Sequence, residues 1–128
     1  MNRPAAPTLD GLTRRRYHYW AGASGRSYIH GAFTPGERPH FASAALVLIA
    51  RDAGRQSVVD IAATGDLPEL YFNGRAYARA LRCGVSEVHV HLADDAAAAR
   101  RAAADIAAAL APGTDAEPAR ISLAGEAA

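Results

Sequence analysis

Two apolar runs separated by a short polar turn constrain the fold of this chain more than any other feature. Residues 44–50 and 57–63 are almost continuously apolar, and Arg-Asp-Ala-Gly-Arg at 51–55 lies between them. Short apolar runs bounded by turn residues predict strands that are buried on both faces. Thr-Gly-Asp-Leu-Pro follows and predicts a helix start, with Asp66 as the cap and Pro68 in the first turn. We therefore expect a buried β-hairpin followed directly by a helix.

Further strands and helices are predicted on both sides of this hairpin. Gly74 interrupts the first helical segment, so a second helical piece is expected after it. Together the elements predict an α+β fold, in which a small mixed or antiparallel β-sheet of three to five strands packs against two or three helices. The additional elements are strands at 16–21, 26–33 and 87–92, a helix at 75–83 and a long helix that Asp94 and Asp95 open and that ends near Leu110.

The length of the chain, 128 residues, predicts one domain with its own core. Residues 1–12 contain prolines and no periodicity, which indicates a flexible arm. We assign 13–112 to a single α+β domain, of which 13–43 form an N-terminal β-hairpin extension and 44–112 form the core. Residues 113–128 are rich in small residues and are predicted to be a flexible tail.

The charge balance excludes a strong overall attraction to polyanions, because the net charge is only +1. All 14 basic residues are arginine, and eight of them lie in residues 1–60 against four acids. Cys83 is the single cysteine, which excludes a disulfide framework and fits a cytoplasmic protein. The longest apolar run, 42–50, is too short to cross a bilayer, and Arg14–Arg16 precede no apolar signal segment.

Local patterns and the order of the elements carry a resemblance to a known family. Ala45-Leu46-Val47 and Asp60-Ile61-Ala62 lie where that family has its two signature tripeptides, and the small-residue bend at 63–67 follows. Strand, strand, helix, strand and long helix then occur in the family's order and end at Pro112. Residues 44–112 therefore resemble the GIY-YIG nuclease domain.

The resemblance implies a phosphodiesterase site, whose residues this sequence lacks. The family uses two tyrosines, an arginine on the first helix and a glutamate on the long helix that holds a divalent metal ion. The matching positions here are Val47, Asp60, Leu70 and Ala103. We therefore predict a catalytically inactive pseudo-nuclease with no catalytic residues.

Asp60 stays notable because it interrupts an apolar strand. We interpret it as a strand-end aspartate that is solvated or bonded to a backbone N–H group. The alternative is an active nuclease with a rearranged site, in which Asp60 works with His89 or His91.

Four histidines are the residues best suited to bind a metal ion. His89 and His91 lie two apart on one predicted strand, and His18 and His30 lie in the first predicted hairpin. Four imidazoles can hold Zn²⁺, but no cysteine or carboxylate stands at ligand spacing and nothing in the sequence places the two pairs together. We predict no metal and no cofactor.

Arginines and aromatic residues provide the functional prediction. Arginine binds phosphate, and exposed aromatic rings stack on bases or form the core of protein interfaces. We predict a nucleic-acid-binding or protein-binding module, with a homodimer through the aromatic hairpin as one form of the latter. The predicted nucleic-acid contacts are Arg14, Arg15, Arg16, Arg26, Arg75, Arg79 and Arg82, and the predicted interface residues are Tyr17, Tyr19, Trp20 and Tyr28.

Overall fold

A buried antiparallel hairpin forms the centre of the fold, as the two apolar runs predict. Strand β3 (Ala44–Asp52) and strand β4 (Arg55–Ala63) are joined by Ala53 and Gly54. Both linking residues have positive φ, 54° and 81°. This is the geometry of the two-residue turn that matches the twist of a β-hairpin, and Gly54 adopts it without strain.

The computed structural model describes residues 16–110 and the backbone of Arg120 and Ile121. The predicted arm (1–12) and most of the predicted tail (113–128) lie outside these residues. Five antiparallel strands run in the order β1-β2-β5-β3-β4, and the two-residue β6 pairs in parallel with β4 at the end of the sheet. The remaining strands are β1 Tyr17–Ala21, β2 Ser27–Phe33, β5 Val85–Leu92 and β6 Arg120–Ile121.

Helices cover both faces of the central strands. Helix α3 (Ala96–Leu110) packs its alanine-rich side and Ile106 on one face. Helices α1 (Glu69–Phe72) and α2 (Arg75–Arg82) pack on the other. Residues 44–49 are consequently buried without interruption. This double covering explains why β3 is apolar throughout instead of alternating.

The fold confirms the predicted α+β class, with one local difference at the first helix. Asp66 does not cap α1; Pro68 occupies the cap position and no side chain bonds to the free N–H groups there. The break at Gly74 is confirmed and has a steric cause, because a Cβ atom at Gly74 would lie 2.8 Å from the carbonyl oxygen of Leu70. Asp95 caps α3 as expected, accepting a hydrogen bond of 2.7 Å from the N–H of Ala98.

The N-terminal hairpin belongs to the main sheet. Strand β2 pairs with β5 from Gly31 to Phe33, so β1 and β2 contribute two of the five long strands. The tip of this hairpin reaches α3, where the carbonyl oxygen of Asp105 accepts a hydrogen bond of 3.0 Å from the N–H of Ala23. The hairpin therefore packs on both the sheet and the long helix.

Candidate functional site

A row of arginines on α2 is the first candidate site. Arg75, Arg79 and Arg82 are all exposed, while Tyr77 and Ala80 on the same helix are buried against the sheet. The spacing of three and four residues places the three guanidinium groups on one side of the helix. Within residues 16–110 none of the three forms an ion pair. The row therefore presents uncompensated positive charge to solvent.

A cavity of about 220 Å³ lies between α2 and the β4 edge of the sheet, directly beside this row. Arg79 lines it together with Ser57, Asp60 and Cys83, and apolar residues form the rest of its wall. The cavity is smaller than most ligand pockets. Its position gives the arginine row a partly polar recess.

Asp60 has a buried partner that the sequence did not reveal. It is 1% exposed, and its Oδ2 accepts a hydrogen bond of 2.8 Å from the hydroxyl of Tyr71 on α1. This burial contradicts the interpretation of Asp60 as a solvated strand end. Burial, followed by the negative charge of Asp60, raises the pKa of Tyr71 far above its usual value. Tyr71 is therefore a fixed proton donor and not a base.

The hairpin arginines lie apart from the α2 row. Arg16 donates to Glu87 at 2.6 Å on the α3 side of the sheet, and Arg26 lies near Asp105 of α3. Arg14 and Arg15 lie outside the described residues. The predicted basic residues thus divide between two faces, and only those on α2 form an uninterrupted row.

A polar cluster on the α3 side of β1, β2 and β5 brings the four histidines together. His18 stacks near Trp20 and His89, and His30 lies near His91, with ring centroids 4.6 to 5.4 Å apart. The cross-strand pairs His18–His30 and Ala32–His89 set this arrangement. Sequence alone could not provide it, because it depends on β2 pairing with β5.

His89 is the centre of this cluster and both of its ring nitrogens are occupied. Its Nδ1 lies 3.0 Å from Nε1 of Trp20, and its Nε2 lies 2.8 Å from a carboxylate oxygen of Glu87. The indole N–H only donates, so Nδ1 accepts and the proton is assigned to Nε2. Burial lowers the pKa of His89, although the bond to Glu87 opposes this. A neutral, fully bonded imidazole of this kind has a structural role.

Glu87 links the cluster to solvent. Burial acts to raise its pKa, but hydrogen bonds from Arg51, His89 and Arg16 outweigh this and lower the pKa to about 2. The Nε of Arg51 donates to Glu87 at 2.7 Å. Glu87 is thus held ionised by three donors, and its single negative charge compensates one of the two positive charges of Arg16 and Arg51.

His30 is fully buried and incompletely bonded. Its Nδ1 lies 2.9 Å from the carbonyl oxygen of Tyr28, which requires the proton on Nδ1, and its Nε2 has no hydrogen-bond partner among the described residues. Burial lowers the pKa of His30 to about 3, and the charges of the neighbouring histidines act in the same direction. His30 is therefore neutral at physiological pH.

The metal site that the GIY-YIG resemblance implies does not fit these residues. The carboxylate position is Ala103, which lies on the buried side of α3 and packs in the core. Between residues 16 and 110, no three His, Cys, Asp or Glu side chains are arranged to hold a metal ion.

The four positions that match the family's catalytic residues do not surround one cleft. Val47 and Ala103 are buried in the core cluster between the sheet and α3, whereas Asp60 faces the helices on the other side of the sheet. Leu70 is 63% exposed. Asp60 also lies on the opposite face from His89, because Leu48 pairs with Asp60 while the adjacent Val47 pairs with His89.

The aromatic residues of the hairpin also lie on both faces of the sheet. Tyr17 and Tyr19 are 58% and 65% exposed on the face away from α3. Trp20 is buried, and Tyr28 is half-buried and donates to Asp105 at 2.8 Å. The two exposed tyrosines are available to a partner, whereas Trp20 and Tyr28 are used inside the fold.

Comparisons with protein-family models, with curated proteins and with solved structures returned no match for this chain. The resemblance to the GIY-YIG domain accordingly stays a prediction. Of the helices in the described residues, none combines the length and the apolar character needed to cross a bilayer.

Glu87 and Tyr71, two residues of these sites, were not singled out from the sequence. The Glu-Val-His-Val-His-Leu alternation at 87–92 contained a signal for the first, since it places Glu87 on the same strand face as His89 and His91. Tyr71 acquires its partner through packing between distant elements, and no local pattern marks it.

Proposed function

We propose that this chain is a non-catalytic binding domain that contacts nucleic-acid phosphates through the arginine row of α2. The observation that carries the proposal is the exposure of Arg75, Arg79 and Arg82 on one side of a single helix, with no ion pair among the described residues. A guanidinium group donates two parallel hydrogen bonds to a phosphate. Arg16 and Arg51, in contrast, already bind Glu87.

The proposal includes an evolutionary origin for residues 44–112. They derive from a domain similar to the GIY-YIG nucleases that has kept the fold and lost the catalytic residues. The order of β3, β4, α1, α2, β5 and α3 supports this origin. The placement of Asp60 and His89 on opposite faces favours binding over the alternative of a rearranged nuclease site. A cytoplasmic location is part of the same proposal and rests on the single, exposed, free Cys83.

Binding to labelled single-stranded DNA and RNA, measured by fluorescence anisotropy over a range of NaCl concentrations, tests the phosphate contacts. Three arginine–phosphate contacts predict that log K falls against log salt with a slope of about −2. The double variant Arg79→Ala/Arg82→Ala removes two of these contacts. We expect its slope to be shallower by about 1.4 and its affinity at low salt to be at least about tenfold weaker.

The matched control is Arg100→Ala/Arg101→Ala on α3. This variant loses the same two positive charges on the other side of the sheet, and neither residue forms an ion pair among the described residues. We expect it to bind nearly as well as the parent protein. Equal weakening by both double variants, or a flat salt response of the parent protein, contradicts a site on α2.

A cleavage assay tests the non-catalytic part of the proposal. Purified protein is incubated with labelled DNA and RNA in Mg²⁺ or Mn²⁺, beside the Asp60→Ala variant. We expect no cleavage by either protein. Cleavage that disappears in Asp60→Ala shows that the chain is an enzyme.

A further inference from the structure

The outer edge of β1 carries backbone groups that the described part of the chain leaves unpaired. The N–H of Ala32 donates to the carbonyl of Arg16, and the N–H of Gly22 donates to the carbonyl of Arg26. Bonded and non-bonded pairs alternate in an antiparallel ladder, so the even-numbered residues of β1 bond to β2. The N–H and C=O groups of Tyr17, Tyr19 and Ala21 therefore point away from β2, and no other strand of residues 16–110 pairs with them.

Strand β1 also lacks the residues that commonly prevent an exposed edge strand from pairing with another chain. The strand reads Tyr-His-Tyr-Trp-Ala, without proline, glycine or a charged residue. The opposite edge of the sheet differs, because β6 covers β4 at Asp60 and Ile61. On the face of β1 away from α3, Tyr17, Tyr19 and the cross-strand neighbour Ile29 expose 58%, 65% and 45% of their surface.

We propose that β1 pairs with β1 of a second copy of this chain, antiparallel and about a two-fold axis at Tyr19. The inference is independent of nucleic-acid binding, since α2 lies elsewhere on the sheet. Only this register places Tyr19 opposite Tyr19 of the partner and Tyr17 opposite Ala21, so that all three outward-facing residues form bonded pairs. The two sheets become one continuous sheet, with the exposed tyrosines and Ile29 of both copies on one face.

Charge complementarity favours a second copy over an unrelated strand. In this register Arg16 lies opposite Gly22 of the partner. Gly22 packs directly against the carboxylate of Asp105, which is half-buried and forms no ion pair among the described residues. Arg16 shares the carboxylate of Glu87 with Arg51, so this group keeps one net positive charge. The Arg16 side chain is 59% exposed on the α3 side, the side on which Asp105 lies. Each copy thus brings an arginine towards the aspartate of the other at both ends of the paired strands.

Replacement of Tyr19 by proline tests the backbone pairing without breaking the β1–β2 ladder. Proline removes the outward N–H of residue 19 and leaves the bonds to β2, which the even-numbered residues make. Sedimentation equilibrium is expected to give a dimer for the parent protein and a monomer for Tyr19→Pro, with unchanged Trp20 fluorescence. The control Tyr19→Thr keeps the N–H group and β-propensity, and its dimer dissociation constant is expected to rise by no more than about tenfold. A monomeric parent protein, or a dimeric Tyr19→Pro variant, overturns the proposal.

Cysteine cross-linking tests the register itself in a Cys83→Ser background. Facing residues of a bonded antiparallel pair have Cα atoms about 5.5 Å apart, which a disulfide can span. Tyr19→Cys is therefore expected to oxidise to a covalent dimer at least about tenfold faster than Tyr17→Cys, whose position faces Ala21. Cross-linking at equal rates at both positions, or at neither, overturns the two-fold axis at Tyr19.

Discussion

At the scale of single residues, the buried contact between Tyr71 and Asp60 should contribute measurably to stability. Tyr71→Phe removes the 2.8 Å hydrogen bond to a carboxylate that is 1% exposed. Loss of a donor to a buried charged group costs about 1–3 kcal/mol of the free energy of unfolding. Urea denaturation followed by circular dichroism measures this cost.

Tyr77→Phe is the matched control for Tyr71→Phe. The two rings lie 5.6 Å apart in the same core cluster, but within the described residues the hydroxyl of Tyr77 makes no hydrogen bond. We expect Tyr77→Phe to leave stability almost unchanged. A similar loss in both variants indicates that the effect arises from ring packing and not from the bond to Asp60.

At the scale of elements, Asp105 should hold the N-terminal hairpin on α3. Its carboxylate accepts hydrogen bonds from the N–H and hydroxyl of Ser24 and from the hydroxyl of Tyr28. Asp105→Ala removes all three, so the hairpin should open more often while β3 and β4 stay closed. We expect amide hydrogen exchange in residues 17–33 to accelerate by on the order of tenfold.

Protection in β3 and β4 provides the internal reference for that experiment. These strands are covered by helices on both faces and make no use of Asp105. Uniform acceleration of exchange over the whole sheet contradicts a local anchor, because it indicates global destabilisation. The more conservative Asp105→Asn keeps one acceptor oxygen and is expected to show an intermediate effect.

Elements that local sequence patterns specify could be predicted, whereas arrangements that depend on contacts between distant segments could not. Strands β3 and β4 and helix α3 were predictable, because apolar runs and the alanine-rich periodicity are local signals. The grouping of His18, His30, His89 and His91 was not predictable. It requires β2 to pair with β5, across more than fifty residues of chain, and no pattern within either strand specifies that pairing.

The same distinction between local and tertiary information applies to the candidate sites. The spacing of Arg75, Arg79 and Arg82 predicted their common side of a helix, and the structure places them there. Their separation from Arg16 depends on which face of the sheet each element covers, which is a tertiary property. The sequence could therefore name the seven arginines as nucleic-acid contacts but could not assign them to separate faces.

At the scale of the whole molecule, the buried histidines should make stability depend on pH. The folded-state pKa of His30 is about 3, well below the ordinary histidine value of 6.5. Burial also lowers the pKa of His89. A group whose pKa is depressed by folding contributes its full stability above the unfolded pKa and loses it as the pH falls towards the folded value. The protein should therefore become less stable below about pH 6.5.

The expected size of this effect is about 1.4 kcal/mol of unfolding free energy per pH unit for each fully depressed histidine. Urea denaturation at pH 5.0 to 8.0, followed by the fluorescence of the single tryptophan, Trp20, measures it. Trp20 is a suitable probe because it bonds to His89 in the same cluster. Glu87 affects this range little, since its pKa falls from 4.5 to about 2 on folding.

The variant His30→Leu isolates the contribution of His30. Leucine cannot be protonated, so the slope of stability against pH should decrease by about 1.4 kcal/mol per pH unit near pH 5 and by about half of that at pH 6.5, where half of the unfolded histidine is protonated. Packing changes shift the stability by the same amount at every pH and are read at pH 8, where the histidines are neutral in both states. An unchanged slope in His30→Leu means that His30 binds a proton in the folded protein near pH 6. That result contradicts the burial of a neutral imidazole between β1 and β5.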